Sequence, residues 1–452
     1  MDSCKILSRF VSKLDYQSIP LSAKENTRLF LADYICSAIA GKRTNKMFNN
    51  AVEKFVFSQG GVEESTVMFG GRKVPCSKAA FLNACYSHGA DMDDGNRKAM
   101  GHVGAHVFST VLALGEKLSS SEGDMLVAIN VGYDVYCRVA AAAQPGLVHR
   151  GFHSTGTAGV IACAAAAAKL KGLDENGIYN AMAISVTMAS GLMIVAESGQ
   201  SIKPLNPAKA AECGILAAEL SESGVCGGNL PFESEKGWFH SMTDNVDYSM
   251  ITSGLGEIFC IDECYIKPYP SCRHTHCAIQ AVLELREEYS LSAEDIKSIK
   301  VYIYPNAIRI AGQIIKPETP DDSKFSIHYS TACAAVLGRF TLNELDFGSV
   351  PDEVFEVIKK IELIPDDSME NREKGIRGCK VEIECTENRK YSKTVLIPKG
   401  DPQNPFTAED MRSKLLQCAE GFLSDSSREE LLNTLLNFGK TENKKFEGIK
   451  II

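Results

Sequence analysis

The sequence predicts a mostly α-helical protein, with a large all-helical domain and an inserted, smaller α+β domain. Three observations predict it. Through the first half, apolar residues recur at helical spacing in one segment after another. Near residue 262 the texture changes, and segments appear that alternate with period two. Helical periodicity returns after a break at Pro398, Gly400, Pro402 and Pro405. The helical domain is therefore expected over 1–262 plus 401–452, and the α+β domain over 263–400.

The elements follow in order. Ile6, Phe10, Val11 and Leu14 are spaced as the apolar stripe of an amphipathic helix, with charges interspersed that a secretory segment would lack. Segment 25–42 carries Leu29, Leu31, Ile35, Ala38 and Ile39 and ends at Gly41. Helices are expected next at 78–90, 108–118, 124–143, 156–172, 176–193 and 208–224. Their alanine and glycine content allows helix axes to approach closely. Segment 296–305 alternates as a half-buried strand does. Segment 379–400 reads as two strands across a turn at Glu387-Asn388-Arg389. A helix at 278–289 precedes these strands, one at 326–340 lies between them, and helices at 408–422 and 427–438 close the chain.

With 452 residues, 44% of them hydrophobic and 23% charged, the composition is that of a globular chain. The 48 basic and 57 acidic residues leave a net charge of −9, which argues against nucleic acid or an anionic membrane as partner. The longest apolar run, in the alanine segment, stops at Lys169 and is too short to span a bilayer. Sixteen cysteines are scattered singly, several within apolar helical patterns. Reduced thiols in a cytoplasmic protein are the expectation.

Four loops share one form: Gly or Pro punctuation, a basic or titratable side chain, then a helix start. DMDDGNRKAMGHVGAHVFS brings Asp91, Asp93, Asp94 and His102 before a helix from about 104. GFHSTGTAGVIA brings His153 before the alanine helix. GQSIKPLNPAKAAECG brings Lys203, and IKPYPSCRHTHCAIQ brings Lys267, Ser271, Cys272 and Arg273, each before a helix. A helix N-terminus offers free N–H groups and partial positive charge. Four such loops in an acidic protein point to a pocket for a substrate with several carboxylates or phosphates. The alternative for any single histidine is a helix cap.

Metal is not expected. Cys260 and Cys264, and Cys272 and Cys277, match paired zinc-ligand spacing only loosely. DMDDG lacks the remaining ligands of a calcium loop.

The segments HGADMDDGNRKAMGHVGAHV, RGFHSTGTAGVIACAAAAAKLKGL, KPLNPAKAAECG, IKPYPSCRHTHCAI and KFSIHYSTACAAVL together resemble the MmgE/PrpD family, whose members include 2-methylcitrate dehydratases, cis-aconitate decarboxylases and iminodisuccinate epimerases. The resemblance implies a cofactor-free cytosolic homodimer with a large helical domain and a smaller lid. It implies a site of Asp91, His102, His153, Lys203, Lys267 and Tyr329. Three positions depart from the family pattern. Gly95 stands where a Thr is usual, Val103 where a Pro is usual, and Cys272 where decarboxylase-like members carry a His.

These activities share a carbanion or enediolate next to a carboxylate, so the site needs a positioned base and a way to hold developing charge. His102 and His153 are the expected proton carriers. Lys203, Lys267 and Arg273 are expected to hold carboxylates, with Ser271 and Cys272 beside them. Asp91 would orient a histidine and Tyr329 would donate to a leaving hydroxyl. A hydro-lyase of the 2-methylcitrate dehydratase kind is the first expectation. A decarboxylase, an epimerase or a non-catalytic carboxylate-binding paralogue are the alternatives.

Overall fold

The computed structural model describes residues 1–197, 201–371, 374–386 and 388–451. The chain divides into two compact units. The first comprises Met1–Gly89, Asp93–Tyr265 and Ala408–Ile452; the second comprises Ala90–Met92 and Ile266–Thr407. The tripeptide Ala90–Met92, placed in the helical domain by sequence, belongs with the second unit because Asp91 is bonded there.

The helical unit is built round the alanine helix Ser154–Leu170, which is buried from Ser154 through Ala168. It packs against Leu205–Glu222, Glu122–Ala142, Glu175–Val186 and Gly104–Leu118. Small side chains make this possible. A Cβ on Gly214 would fall 2.2 Å from Cys163 Cβ and 2.8 Å from the Ala164 nitrogen. The helix axes therefore approach as closely as the residues allow, and an alanine-rich core is packed by proximity and not by bulk.

The N-terminal helix Ser3–Lys13 forms, but its buried stripe is Cys4, Leu7 and Val11, continued by Leu14. Ile6 and Phe10, expected in the stripe, lie only half-buried at its margin. Glu122–Ala142 is long and apolar enough to cross a membrane, contrary to the sequence expectation, yet the window that passes is 94% buried in the unit. It also carries a buried ion pair, Asp134 with Arg138 at 2.9 Å.

The helix expected to reach residue 193 ends at Val186. Gly191 adopts φ +138°, which no helix accommodates. The segment turns back instead. Gly191 O accepts from the His153 N–H at 2.9 Å, and Gly151 O from the Met193 N–H at 2.8 Å.

The second unit holds a four-stranded sheet in the order Lys390–Val395, Cys379–Cys385, Ile296–Ile303, Ile361–Pro365. The first three are antiparallel neighbours, and Ile361–Pro365 runs parallel to Ile296–Ile303. Ile296 and Ile299 are both buried although three apart; a register shift between Ile296 and Ser298 permits it. Strand Ile361–Pro365 escaped the sequence reading because only Ile361 is buried, so this edge strand shows no alternation. Glu387 of the expected hairpin turn lies outside the described residues. Helix His276–Tyr289 covers the sheet and meets Ile327–Leu337.

A testable consequence concerns the close helix contact. Gly214→Ala should force the Leu205–Glu222 helix away from Cys163 and lower unfolding free energy by about 1–3 kcal/mol, the usual cost of overpacking. Denaturant melts check this; an unchanged midpoint would contradict it.

Candidate active site

Three of the four loops meet inside the helical unit, and each is positioned by local chemistry. The His102 N–H donates to Thr155 Oγ1 at 3.0 Å, tying its loop to the start of the alanine helix. Gly101 must be glycine, since a Cβ there would lie 2.2 Å from the Tyr136 hydroxyl and 2.3 Å from Ser154 Oγ. His153 occupies the N-cap position of Ser154–Leu170, but its side chain makes no capping bond. Its Nδ1 faces Asn206 Nδ2 at 2.9 Å. The capping alternative for His153 is therefore set aside.

A third imidazole joins them. His88 ends the helix Cys76–His88. Its ring centroid lies 4.7 Å from that of His102 and 6.0 Å from that of His153, and His102 and His153 are 6.4 Å apart. Asp93 bridges two of the rings: its Oδ2 is 2.7 Å from His88 Nδ1 and 3.2 Å from His102 Nδ1. His102 Nδ1 is also 2.8 Å from the Asp94 carbonyl. Lys203, half-buried, contributes a positive charge that disfavours protonation of His88. Gly199 and Gln200 of its loop lie outside the described residues.

Burial sets the electrostatics. It opposes charge on Asp93, but His102 and His88 more than offset it and hold the carboxyl well below its usual range. Burial pushes His88 down to about 4, against the pull of Asp93. It pushes His106 down to about 3. Among the described residues, neither ring nitrogen of His106 has a hydrogen-bond partner. Asp94 is raised to about 7, mainly by burial, while a Tyr133 hydroxyl at 2.7 Å works against the rise.

Asp94 also revises the anion-loop expectation. Its Oδ1 accepts from the Gly104 N–H at 2.8 Å, so this carboxyl already occupies the start of helix Gly104–Leu118. The Gly95 departure has a physical reason as well. A side chain there would meet the Tyr265 hydroxyl at 2.5 Å, so Tyr265 fills the space.

The fourth loop belongs to the second unit. Lys267, 2% exposed, donates to Asp91 O at 2.8 Å and Oδ1 at 3.2 Å. Asp91 holds a left-handed φ of +52°, a conformation that costs a non-glycine residue about 1–2 kcal/mol. Within this unit the Asp91 carboxylate is paired with Lys267, and its charge also acts on His276. Ser271 Oγ pairs with Thr275 Oγ1 at 2.7 Å, and the Cys272 N–H donates to Lys324 O at 2.8 Å. Arg273 binds Asp401 at 2.7 Å and the Lys399 and Pro398 carbonyls, so its guanidinium braces its own unit. Tyr329 is fully buried beside Phe340, Phe347 and Phe355, and its hydroxyl donates to Glu344 O at 2.5 Å. That is the placement of a core residue, not of a donor to a leaving hydroxyl.

His88 and Asn206 were missing from the expected site, and Asp93 was named in its loop without a role. His88 and Asp93 stood inside the HGADMDDG segment, and Asn206 inside KPLNPAK. No spacing rule distinguishes them: His88 and Asp93 pair with each other inside one segment, and Asn206 pairs with His153, 53 residues away. Among the described residues, His88, Asp93 and His102 form the one group whose geometry could hold a metal ion, with ligand atoms within 4.8 Å of one another. The Nδ1–Oδ2 separations are those of hydrogen bonds, and a cation would have to displace the protons in them. No cysteine belongs to such a group among the described residues.

A nearly buried imidazole cluster, backed by a carboxylate and flanked by a lysine, is the equipment of an acid–base enzyme. The family follows from comparison of the whole chain. The MmgE/PrpD N-terminal domain matches residues 5–251 and the C-terminal domain residues 269–438, so the chain belongs to the MmgE/PrpD family. It is 28% identical to the human cis-aconitate decarboxylase, over 82% of this chain and 78% of that protein. It is 24% identical to the cis-aconitate decarboxylase-like protein oryM of Aspergillus oryzae, over 95% and 93% of the two chains. It is 25% identical to the cis-aconitate decarboxylase of Aspergillus terreus, over 95% and 91%.

Two outcomes follow. His106 binds a proton near pH 6.5 when unfolded but only near 3 when folded. The unfolded state thus takes the proton first on acidification. This contribution to stability is complete above about pH 6.5 and is lost towards pH 3. His106→Phe should make stability fall less steeply between pH 4 and 6, by up to about 1.4 kcal/mol per pH unit. Urea melts across that range check it; equal slopes would contradict it.

The second concerns the buried ion pair. Lys267→Ala strands the Asp91 carboxylate and should destabilise by about 3–5 kcal/mol. Adding Asp91→Asn should recover much of that loss. A Lys267→Ala melt matching the unsubstituted protein would show the pair to be dispensable.

Proposed function

We propose that this lyase of the MmgE/PrpD family acts on a small polycarboxylate of the cis-aconitate class and releases CO2 without a metal or organic cofactor. The observation that carries the reading is His102. Its Nδ1 is held between the Asp94 carbonyl and the Asp93 carboxylate, which leaves Nε2 as the exchanging site. Lys203 supplies a cation for a substrate carboxylate. The named relatives, cis-aconitate decarboxylases aligned along most of their length, support the substrate class.

In the proposed reaction the bond to one carboxylate breaks. Its electron pair passes into the conjugated system as an enediolate next to a remaining carboxylate. His102, protonated, then delivers its Nε2 proton to carbon and is recharged from solvent. Nearby cationic charge lowers the cost of the intermediate. A second reading, a hydro-lyase on a 2-methylcitrate-like acid, is favoured by Cys272, which stands where decarboxylase-like members are expected to carry histidine. There His102 would begin as the base. We further propose a cytoplasmic homodimer, which sedimentation and fractionation would test.

The deciding experiment is turnover of a small polycarboxylate panel, with and without EDTA, reading CO2 release and product by NMR. CO2 from cis-aconitate at an undiminished rate in EDTA is the expected result. Water loss from 2-methylcitrate alone would select the second reading. Turnover lost in EDTA and restored by added metal would overturn the cofactor-free account. His102→Gln should lower kcat by about 10²–10⁴-fold with little change in KM.

A further inference from the structure

The two histidines expected to share proton transfer do not have equivalent surroundings. His102 Nδ1 faces two acceptors, the Asp94 carbonyl at 2.8 Å and Asp93 Oδ2 at 3.2 Å. It must carry a proton there, so the neutral ring has its lone pair on Nε2. His153 Nδ1 faces the amide nitrogen of Asn206 at 2.9 Å. An amide nitrogen only donates. His153 must accept at Nδ1, so its proton sits on Nε2.

Glycines at 156 and 191 leave the space that the Asn206 side chain occupies. A Cβ on Gly156 would lie 3.2 Å from Asn206 Cβ, and one on Gly191 would lie 3.2 Å from Asn206 Oδ1. The Asn206 N–H is bonded to Lys203 O at 3.2 Å, and the His153 N–H to Gly191 O at 2.9 Å. Histidine and asparagine are thus fixed from the backbone outward. Asn206 itself is 9% exposed.

We infer that His153 is not a proton carrier: Asn206 keeps it neutral with its proton on Nε2, and it serves as a hydrogen-bond donor to an oxygen of the substrate's developing enediolate. This deepens the proposed lyase reading and rests on it for the identity of that oxygen. The chemistry favours the division of labour. A second proton on His153 would have to enter at Nδ1, against the Asn206 amide hydrogens. Loss of its only N–H proton would leave an imidazolate, far too basic to form at neutral pH. A neutral imidazole can still polarise an oxyanion through its N–H, as electrophilic histidines do. His102, with a carboxylate behind it, is equipped to gain and lose a proton. Asn206 becomes a positioning residue that selects the tautomer of its partner.

The test has one arm that needs no turnover. Histidine ring ¹⁵N spectra of the unsubstituted protein, with His102 and His153 assigned by loss of signal in His102→Gln and His153→Gln, report which nitrogen bears the proton. His153 should be neutral and protonated at Nε2 from pH 6 to 8. A proton on Nδ1, or a doubly protonated ring, overturns the inference. Because this arm is independent of substrate, it stands even if the panel reveals no activity and the lyase reading falls.

The second arm is kinetic. His153→Gln supplies an amide N–H in place of the ring N–H and should cost kcat only about three- to tenfold, the range of a neutral hydrogen bond. A loss as large as that of His102→Gln would return His153 to proton transfer. Asn206→Asp replaces the donor by an acceptor and reverses the tautomer. Only the imidazolium of that variant has an N–H for the substrate, so kcat should acquire a new limb that falls as pH rises, with KM little changed. A uniformly lower but unaltered pH profile would reduce Asn206 to a structural role and overturn the assignment.

Discussion

The site depends on one buried carboxylate. Asp93, 2% exposed, is charged in a place where burial opposes charge, and it remains so because two imidazoles face its Oδ2. An isolated carboxylate there would cost several kcal/mol and would protonate instead. The pairing works in both directions. It fixes the orientation of His88 and His102, and it gives His102 a counter-charge when that ring takes a proton. The glycine at 101 and the hydroxyl of Thr155 then deliver His102 to the carboxylate.

The surrounding packing serves this arrangement. A helix rich in alanine lets neighbouring helices approach until Gly214 meets Cys163, and the N-terminus of that helix presents His153. The return of the chain after Val186 brings Gly191 against Gly156, which fixes the backbone of His153. Loop positions that look permissive in sequence are therefore sterically determined. Gly95 is one: what reads as a missing threonine is space taken by Tyr265.

Much of this was legible in the sequence, for reasons that can be named. Helical periodicity and the change of texture near 262 located the long elements, because burial on one face imposes a repeat. Loop-before-helix grammar picked out His102, His153 and Lys203, which the structure gathers in one unit. The same grammar misjudged what fills the helix starts: Asp94 occupies one of them. It could not see His88 or Asn206, whose importance lies in partners fifty or more residues away or in a neighbouring turn. Tyr329 was drawn in by family resemblance alone, and its hydroxyl is spent on Glu344. The edge strand Ile361–Pro365 left no alternation to read.

The central claim is that one histidine, His102, delivers a proton to carbon from a fixed direction after CO2 departs. Turnover in deuterium oxide tests it directly. The product should carry a single deuterium at the carbon that took up the charge, on one face only, as read by NMR. Deuterium distributed over both faces, or a product with none at that carbon, would contradict the account.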